Sequence, residues 1–148
     1  MRDRIREETK VALKAQDRTR LGTLRLISAA LQEREIAART DKLSEQDAAA
    51  VLQKMLKQRR DSLAIYQKAG RQDLAEQEAK EIEVIEEFLP QQLGEAEVRS
   101  AIAAVIKDVG ATGPRDMGKV MAALKARYAG QMDFGKVSPL VKELLAAA

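Results

Sequence analysis

The sequence predicts an all-α protein, and three observations support this. Aromatic residues make up only 3% of the 148 residues, the strong helix formers Ala, Leu, Glu, Gln, Lys and Arg dominate, and runs of β-branched residues are missing. Apolar residues recur at the three- and four-residue spacing of amphipathic helices. Gly and Pro separate these segments. The length suits one domain or two small units.

The first two helices are predicted at about residues 2–16 and 18–38. The apolar stripe of the first is weak and consists of Ile5, Ala12 and Leu13. One face of the second is apolar, with Leu21, Leu24, Ile27, Ser28 and Leu31. Residues 40–43 are expected to form a loop.

A third and a fourth helix should form a long antiparallel hairpin. Ser44 offers an N-cap oxygen to the third helix, and Gly70 suits the left-handed position that ends it. The fourth helix then covers about residues 72–88. Pro90 disfavours helical geometry at Leu89, so the chain should turn at 89–94. We therefore expect a helical N-terminal domain, residues 1–93, and a second domain, residues 94–148.

The second domain is predicted to be a small three-helix bundle. Its first two helices cover about residues 95–109 and 114–128, the latter with Pro114 at the first helical position. Two starts are possible for the last helix. Asp133 caps one of them, but Pro139 then loses a backbone bond inside the helix, and a later helix capped by Ser138 is the alternative.

Charged residues interrupt the apolar stripes of the predicted hairpin. Arg59 lies within the stripe of the third helix and Glu78 within that of the fourth. Counted from Gly70, an antiparallel hairpin brings the two within about one turn of each other. We expect a structural ion pair of Arg59 with Glu78, or with Glu81 one turn further on, because an unpaired buried charge is costly. A catalytic Glu would need a second acid or base, for which we see no candidate.

The helix at 114–128 has an outer face of small and basic residues. Opposite its apolar stripe lie Gly118, Ala122 and Ala126. Cations surround them, namely Arg115, Lys119, Lys125 and Arg127. Small residues permit close approach of another backbone while cations hold an anionic one, so this face is our candidate surface for a nucleic-acid phosphate chain. The alternative is an ordinary helix surface in which Ala is merely a good helix former. For base stacking only Phe88 and Phe134 are expected to be exposed.

The amino-acid composition limits the kinds of catalytic and metal-binding site that the chain can form. The chain has no Cys and no His, and no phosphate-binding loop or carboxylate cluster with metal spacing is visible. We therefore expect no catalytic residue, no cofactor and no metal. Neither a signal peptide nor a membrane span is evident, which predicts a cytoplasmic protein without membrane contact.

Charge is unevenly distributed along the chain. Residues 1–71 carry 17 basic and 10 acidic residues, whereas residues 72–93 carry 1 and 7. A basic half next to an acidic helix fits an anionic partner, but pairing between the two segments explains it equally well.

Several segments together resemble the GatB/YqeY family, specifically its small stand-alone YqeY-like members. They occur in this order: Leu24-Arg25-Leu26-Ile27, Gln58-Arg59 with Asp61-Ser62, Tyr66, Ala69-Gly70-Arg71 with Asp73-Leu74, Glu78, Leu89-Pro90 with Gln92-Leu93, Met117-Gly118-Lys119-Val120-Met121, and Gly130 with Asp133 and Val141-Lys142. The resemblance covers essentially the whole chain. It implies a helical N-terminal domain and a three-helix tail domain of the kind found in the B subunit of the glutamine-dependent tRNA amidotransferase, where the tail contacts tRNA.

Three functions are compatible with these observations. The first is a non-catalytic protein that binds tRNA or a tRNA-charging complex through the tail. In the second, the chain is an accessory subunit of a carbon–nitrogen ligase with glutamine as amido donor, a label implied by the resemblance alone, and a partner supplies the active site. In the third, it is a purely protein-binding helical module.

Overall fold

The computed structural model describes residues 1–147, and these contain seven α-helices, one short 3₁₀ helix and no strand. The predicted all-α class is confirmed. The chain divides into two compact units, Met1–Pro90 and the residues from Gln91 onwards, each with its own core. Ala148, the last residue of the expected second domain, lies outside the described residues.

The first unit begins with helices α1, Arg2–Lys14, and α2, Arg18–Ala37. Ile5 and Ala12 of α1 are buried, but Leu13 is 56% exposed, so its predicted core position is wrong. The reason is geometric: Ile5 and Ala12 are seven residues apart and share a face, while Leu13 is turned 100° away from Ala12. Asp17 caps α2 by accepting a hydrogen bond from the backbone N–H of Arg20.

Helices α3, Glu45–Lys68, and α4, Gln72–Glu87, form the predicted hairpin. The Ser44 hydroxyl accepts the Asp47 N–H at 3.0 Å, which confirms the N-cap. Gly70 has φ +70°, and the turn closes with bonds from Arg71 N–H to the Tyr66 carbonyl and from Gly70 N–H to the Gln67 carbonyl. This left-handed turn sends α4 back along α3.

The base of this hairpin lies in the first core, and its far half does not. Leu52, Leu56 and Ile85 are fully buried among residues of α1 and α2. Between residues 57 and 83 only Ala75 is buried. Of the partly buried apolar residues in this stretch, Ile82 still packs against the first core.

The second unit contains α5, Glu95–Asp108, a 3₁₀ turn at Pro114–Asp116, α6, Met117–Arg127, and α7, Phe134–Ala146. The predicted helix at 114–128 therefore starts as a tighter turn, with Pro114 in its first position. Of the two predicted starts for the last helix, the structure has the earlier one: the Asp133 carboxylate accepts the Gly135 N–H at 3.0 Å. Pro139 lies in the second turn of α7 and is exposed, so water can reach the carbonyl left without a bond.

Candidate functional site

The small and basic face of α6 is open to solvent. Val120 and Leu124 on the opposite side are fully buried in the core of the second unit and fix the rotation of the helix. Six residues are exposed on the other side and define what we call the α6 face: Arg115, Gly118, Lys119, Ala122, Lys125 and Ala126. A Cβ added at Gly118 would meet nothing within 4 Å. The surface is therefore free of covering side chains at this point.

The cations of this surface differ in their contacts. Arg115 and Lys119 form no ion pair with any residue between 1 and 147. Lys125 is exposed. Arg127, by contrast, places Nη1 2.8 Å from the Asp108 carboxylate of α5, with both side chains about half exposed. This pairing leaves Arg127 a weaker candidate for holding an anion than Arg115 and Lys119.

Loop contacts fix both ends of α6. At the start, Asp116 accepts the Thr112 N–H at 2.9 Å, which holds the 3₁₀ turn that carries Arg115. Beyond the end, the Leu93 N–H donates to the Gln131 carbonyl at 2.9 Å, and the Gln92 amide donates to the Gly130 carbonyl. The backbone under the α6 face is thus held at each end by hydrogen bonds from other segments of the same unit.

A shallow groove beside α6 was not foreseen from the sequence. Its volume is about 450 Å³, and it lies between α5 and Tyr128, with Glu97 and Ser100 among its lining residues. Tyr128 is half-buried there and packs against the core of the second unit. A groove that joins two helices depends on their packing and has no signal in local sequence.

The aromatic residues expected to be exposed are not available for stacking on bases. Phe88 is 5% exposed, and the Arg4 guanidinium covers its ring at 4.9 Å, so the expectation of an exposed Phe88 is wrong. Phe134 packs partly buried against the second core. The physical reason is that each lies at a helix end where the apolar stripe still faces the core.

The charged cluster of the hairpin consists of Arg59 on α3 and Glu78 and Glu81 on α4. Arg59 Nε lies 3.4 Å from Glu81 Oε2, and the two side chains are 17% and 14% exposed. The Arg59 N–H is not aligned for a hydrogen bond, so the contact is an ion pair only. Burial raises the pKa of Glu78, the neighbouring Glu81 raises it further, and Arg59 opposes both.

This cluster offers little chemistry. It holds one cation and two carboxylates. Within residues 1–147 no group of three or more acidic, His or Cys side chains is placed to hold a metal ion. The geometry supports a structural role for the cluster.

None of the described helices is long and apolar enough to cross a membrane.

The comparisons with known proteins decide the family. The profile of the family described as Yqey-like protein matches residues 2–145. The chain belongs to the YqeY-like family. This confirms the relationship that the sequence segments indicated.

Curated relatives carry the name Altered inheritance of mitochondria protein 41, mitochondrial. The one from Kluyveromyces lactis is 33% identical over 84 residues, which is 57% of this chain and 45% of the relative. That from Lachancea thermotolerans is 30% identical over 112 residues, 74% of this chain and 60% of the relative. A relative from Pyrenophora tritici-repentis is 26% identical and covers 97% of this chain. The chain spans about half the length of the first of these relatives.

These names correct one expectation. The sequence predicted a cytoplasmic protein, whereas the relatives are named as mitochondrial proteins. The prediction of a cytoplasmic location relied on finding no targeting signal in the sequence. The names of the relatives contradict it.

Proposed function

We propose that this YqeY-like protein is a non-catalytic RNA-binding protein that holds tRNA, alone or within a tRNA-charging complex, through the α6 face. The observation that carries the proposal is the surface itself: three cations around Gly118, Ala122 and Ala126, with no acidic residue anywhere in α6. Resemblance of the tail to the tRNA-contacting domain of the amidotransferase B subunit points the same way.

The shape of the face suits a phosphate backbone. Gly118 and the two alanines leave room for a sugar–phosphate chain to approach the helix, and Arg115 and Lys119 lie beside them without an intramolecular ion pair in the described chain. Cations in such a position gain affinity by releasing the counterions condensed on the nucleic acid. Contacts of this kind position a protein and carry no sequence information, so we expect binding to many tRNAs.

The absence of Cys and His from the sequence favours a binding role over catalysis. A role in amide transfer would require a partner that supplies the active site. We expect the purified chain to show no amidotransferase, glutaminase or ATPase activity. Turnover that survives repurification and disappears on changing Glu78 to Gln would contradict this.

The test compares two triple variants of equal charge. Changing Arg115, Lys119 and Lys125 to Gln removes the cations of the α6 face. Lys107, Lys136 and Lys142 are exposed on α5 and α7, and changing them to Gln is the matched control. Because the relatives are named as mitochondrial, mitochondrial tRNA is the first probe, followed by bulk tRNA.

The α6 variant should bind tRNA more weakly and lower the salt slope by roughly 0.7–0.9 for each phosphate that is no longer neutralised, while the control retains most of both. Gly118→Leu should also weaken binding, through bulk alone, since open space surrounds the site. If the α6 variant and the control behave alike, the binding is non-specific attraction to net charge. In that case the protein-binding module replaces this proposal.

A further inference from the structure

The side of α2 that faces solvent combines apolar, small and charged residues. We call it the outer face of α2, and it consists of Gly22, Arg25, Leu26, Ala29, Glu33 and Ile36, all of them exposed. Leu26 is 47% and Ile36 70% exposed, and they are two of the five large apolar side chains exposed in residues 1–147. Apolar surface is therefore exposed to water here, and a partner that buried it would lower the free energy.

The two charged residues of this face, Arg25 and Glu33, are unpaired among residues 1–147. Neither Arg25 nor Glu33 forms an ion pair or a side-chain hydrogen bond with any described residue. Two other charged residues of α2 are paired: Arg20 contacts Glu8 and Glu87, and Glu35 contacts Arg2. Arg25 and Glu33 are eight residues apart on the same helix, too far to reach each other.

The spacing of these residues makes the face complementary to itself. Gly22, Ala29 and Ile36 are seven residues apart, which places them along one line of the helix. When two copies of α2 lie antiparallel with Ala29 at the two-fold axis, Gly22 of one copy is level with Ile36 of the other. In the same arrangement Arg25 is level with Glu33. The large side chain meets the open space at Gly22, and each cation meets a carboxylate.

We propose that the outer face of α2 is a self-association surface, on which a second copy of this chain docks antiparallel about a two-fold axis at Ala29. Symmetry makes every favourable contact occur twice. One helix pair covers less than the roughly 1,200–2,000 Å² of a standard stable interface, so we expect monomer and dimer to exchange at micromolar concentrations. The surface lies in the first unit and is independent of the proposed binding of tRNA.

A single introduced cysteine tests the two-fold axis directly, because the chain has no Cys of its own. In the Ala29→Cys variant the two introduced cysteines face each other across the axis. Their Cα atoms should then lie about 4.4–6.8 Å apart, the separation that a disulfide needs. Ala50→Cys, on an exposed position of α3, is the matched control. Under mild oxidation Ala29→Cys should become a covalent dimer many times faster than the control. Equal rates for the two variants would overturn the proposal.

Charge reversal tests the register. By sedimentation at several concentrations, Arg25→Glu and Glu33→Arg should each weaken the dimer by roughly tenfold, because both ion pairs become like-charge contacts. Combining the two should restore the affinity of the parent. All three variants should keep the circular dichroism of the parent, since both side chains are exposed. A parent that stays monomeric up to about 1 mM, or a double variant no better than the singles, would refute the arrangement.

Discussion

Helices α4 and α6 each carry charges of nearly one sign, but they differ in how many of these charges form ion pairs with other helices. Of the 16 residues of α4, seven are acidic and one is basic, while α6 carries three basic residues and no acidic one. Cations from α2 and α3 neutralise much of α4: Arg59 pairs with Glu81, Arg60 with Glu86 and Arg20 with Glu87. On α6, Arg127 pairs with Asp108, while Lys119 forms no ion pair with any residue between 1 and 147.

This difference distinguishes charges that are paired inside the fold from charges that are left exposed. The basic N-terminal half fitted either an anionic partner or internal pairing, and the ion pairs onto α4 account for part of it by internal pairing. On α6 no such partner covers Arg115 and Lys119. We therefore look to the second unit for an anion-binding surface, although the N-terminal half holds more cations.

The largest losses of stability should come from shortening buried side chains in the two cores. Leu56→Ala and Leu124→Ala each remove a fully buried side chain, one from each unit, and should cost about 2–5 kcal/mol. We propose that the cores unfold separately. Hydrogen exchange of the full chain should then show reduced protection in α1–α4 for the first variant and in α5–α7 for the second. Reduced protection throughout the chain in both variants would show one cooperative unit.

Breaking the internal neutralisation of α4 should cost less. Arg59→Ala removes the cation that pairs with Glu81, at a site where both side chains are less than one-fifth exposed. We expect a loss of about 2 kcal/mol, below the 3–5 kcal/mol of a fully buried pair. Arg60→Ala is the control, since its pair with Glu86 is over 40% exposed on both sides and should cost about 0–1 kcal/mol. Equal melting temperatures for the two variants would show that the Arg59–Glu81 pair stabilises the fold no more than the exposed pair does.

The turns of the two units provide a smaller comparison. In the second unit both left-handed positions are glycines, Gly110 and Gly130, whereas the first unit has Gln16 and Arg39 at φ +57° and +54° besides Gly70. A side chain in this region costs about 1–2 kcal/mol. Arg39→Gly should therefore stabilise the protein by about 0.5–1 kcal/mol, and Gly70→Ala should destabilise it by about 1 kcal/mol. Denaturant titration measures both, and shifts of the same sign would contradict the account.

The smallest effect concerns Glu78, the member of the α4 cluster without a cation of its own. Burial raises its pKa in the folded protein, so the folded state binds this proton more tightly than the unfolded state. The charged carboxylate therefore lowers stability at neutral pH, and the loss disappears below the unfolded pKa of about 4.3. Glu78→Gln should raise the melting temperature slightly at pH 7 and leave it unchanged near pH 3.5. The exposed Glu76→Gln should leave the melting temperature unchanged at both pH values. A rise for Glu78→Gln that is confined to acid pH would reverse the sign we expect.

Local chemistry predicted much of this fold, and packing decided the rest. The Ser44 cap, the Gly70 turn and the hairpin follow from residues close in sequence, so they were foreseen. Burial of Phe88 beneath Arg4 depends on residues more than 80 positions apart and was missed. The groove at Tyr128 requires α5 and α6 to be placed together. Exposure of the α6 face was predictable because it follows from the rotation that Val120 and Leu124 impose.

The measurement that tests the central claim most directly is the affinity of the parent chain for tRNA across a salt series. If Arg115, Lys119 and Lys125 track a phosphate backbone, log affinity should fall linearly with log salt with a slope of about −2 to −3, that is, roughly 0.7–0.9 for each of three contacts. The slope should drop toward zero in the variant with all three changed to Gln. A parent that binds no better than a neutral helical protein at low salt, or whose slope the variant leaves unchanged, would contradict the assignment of the α6 face to RNA.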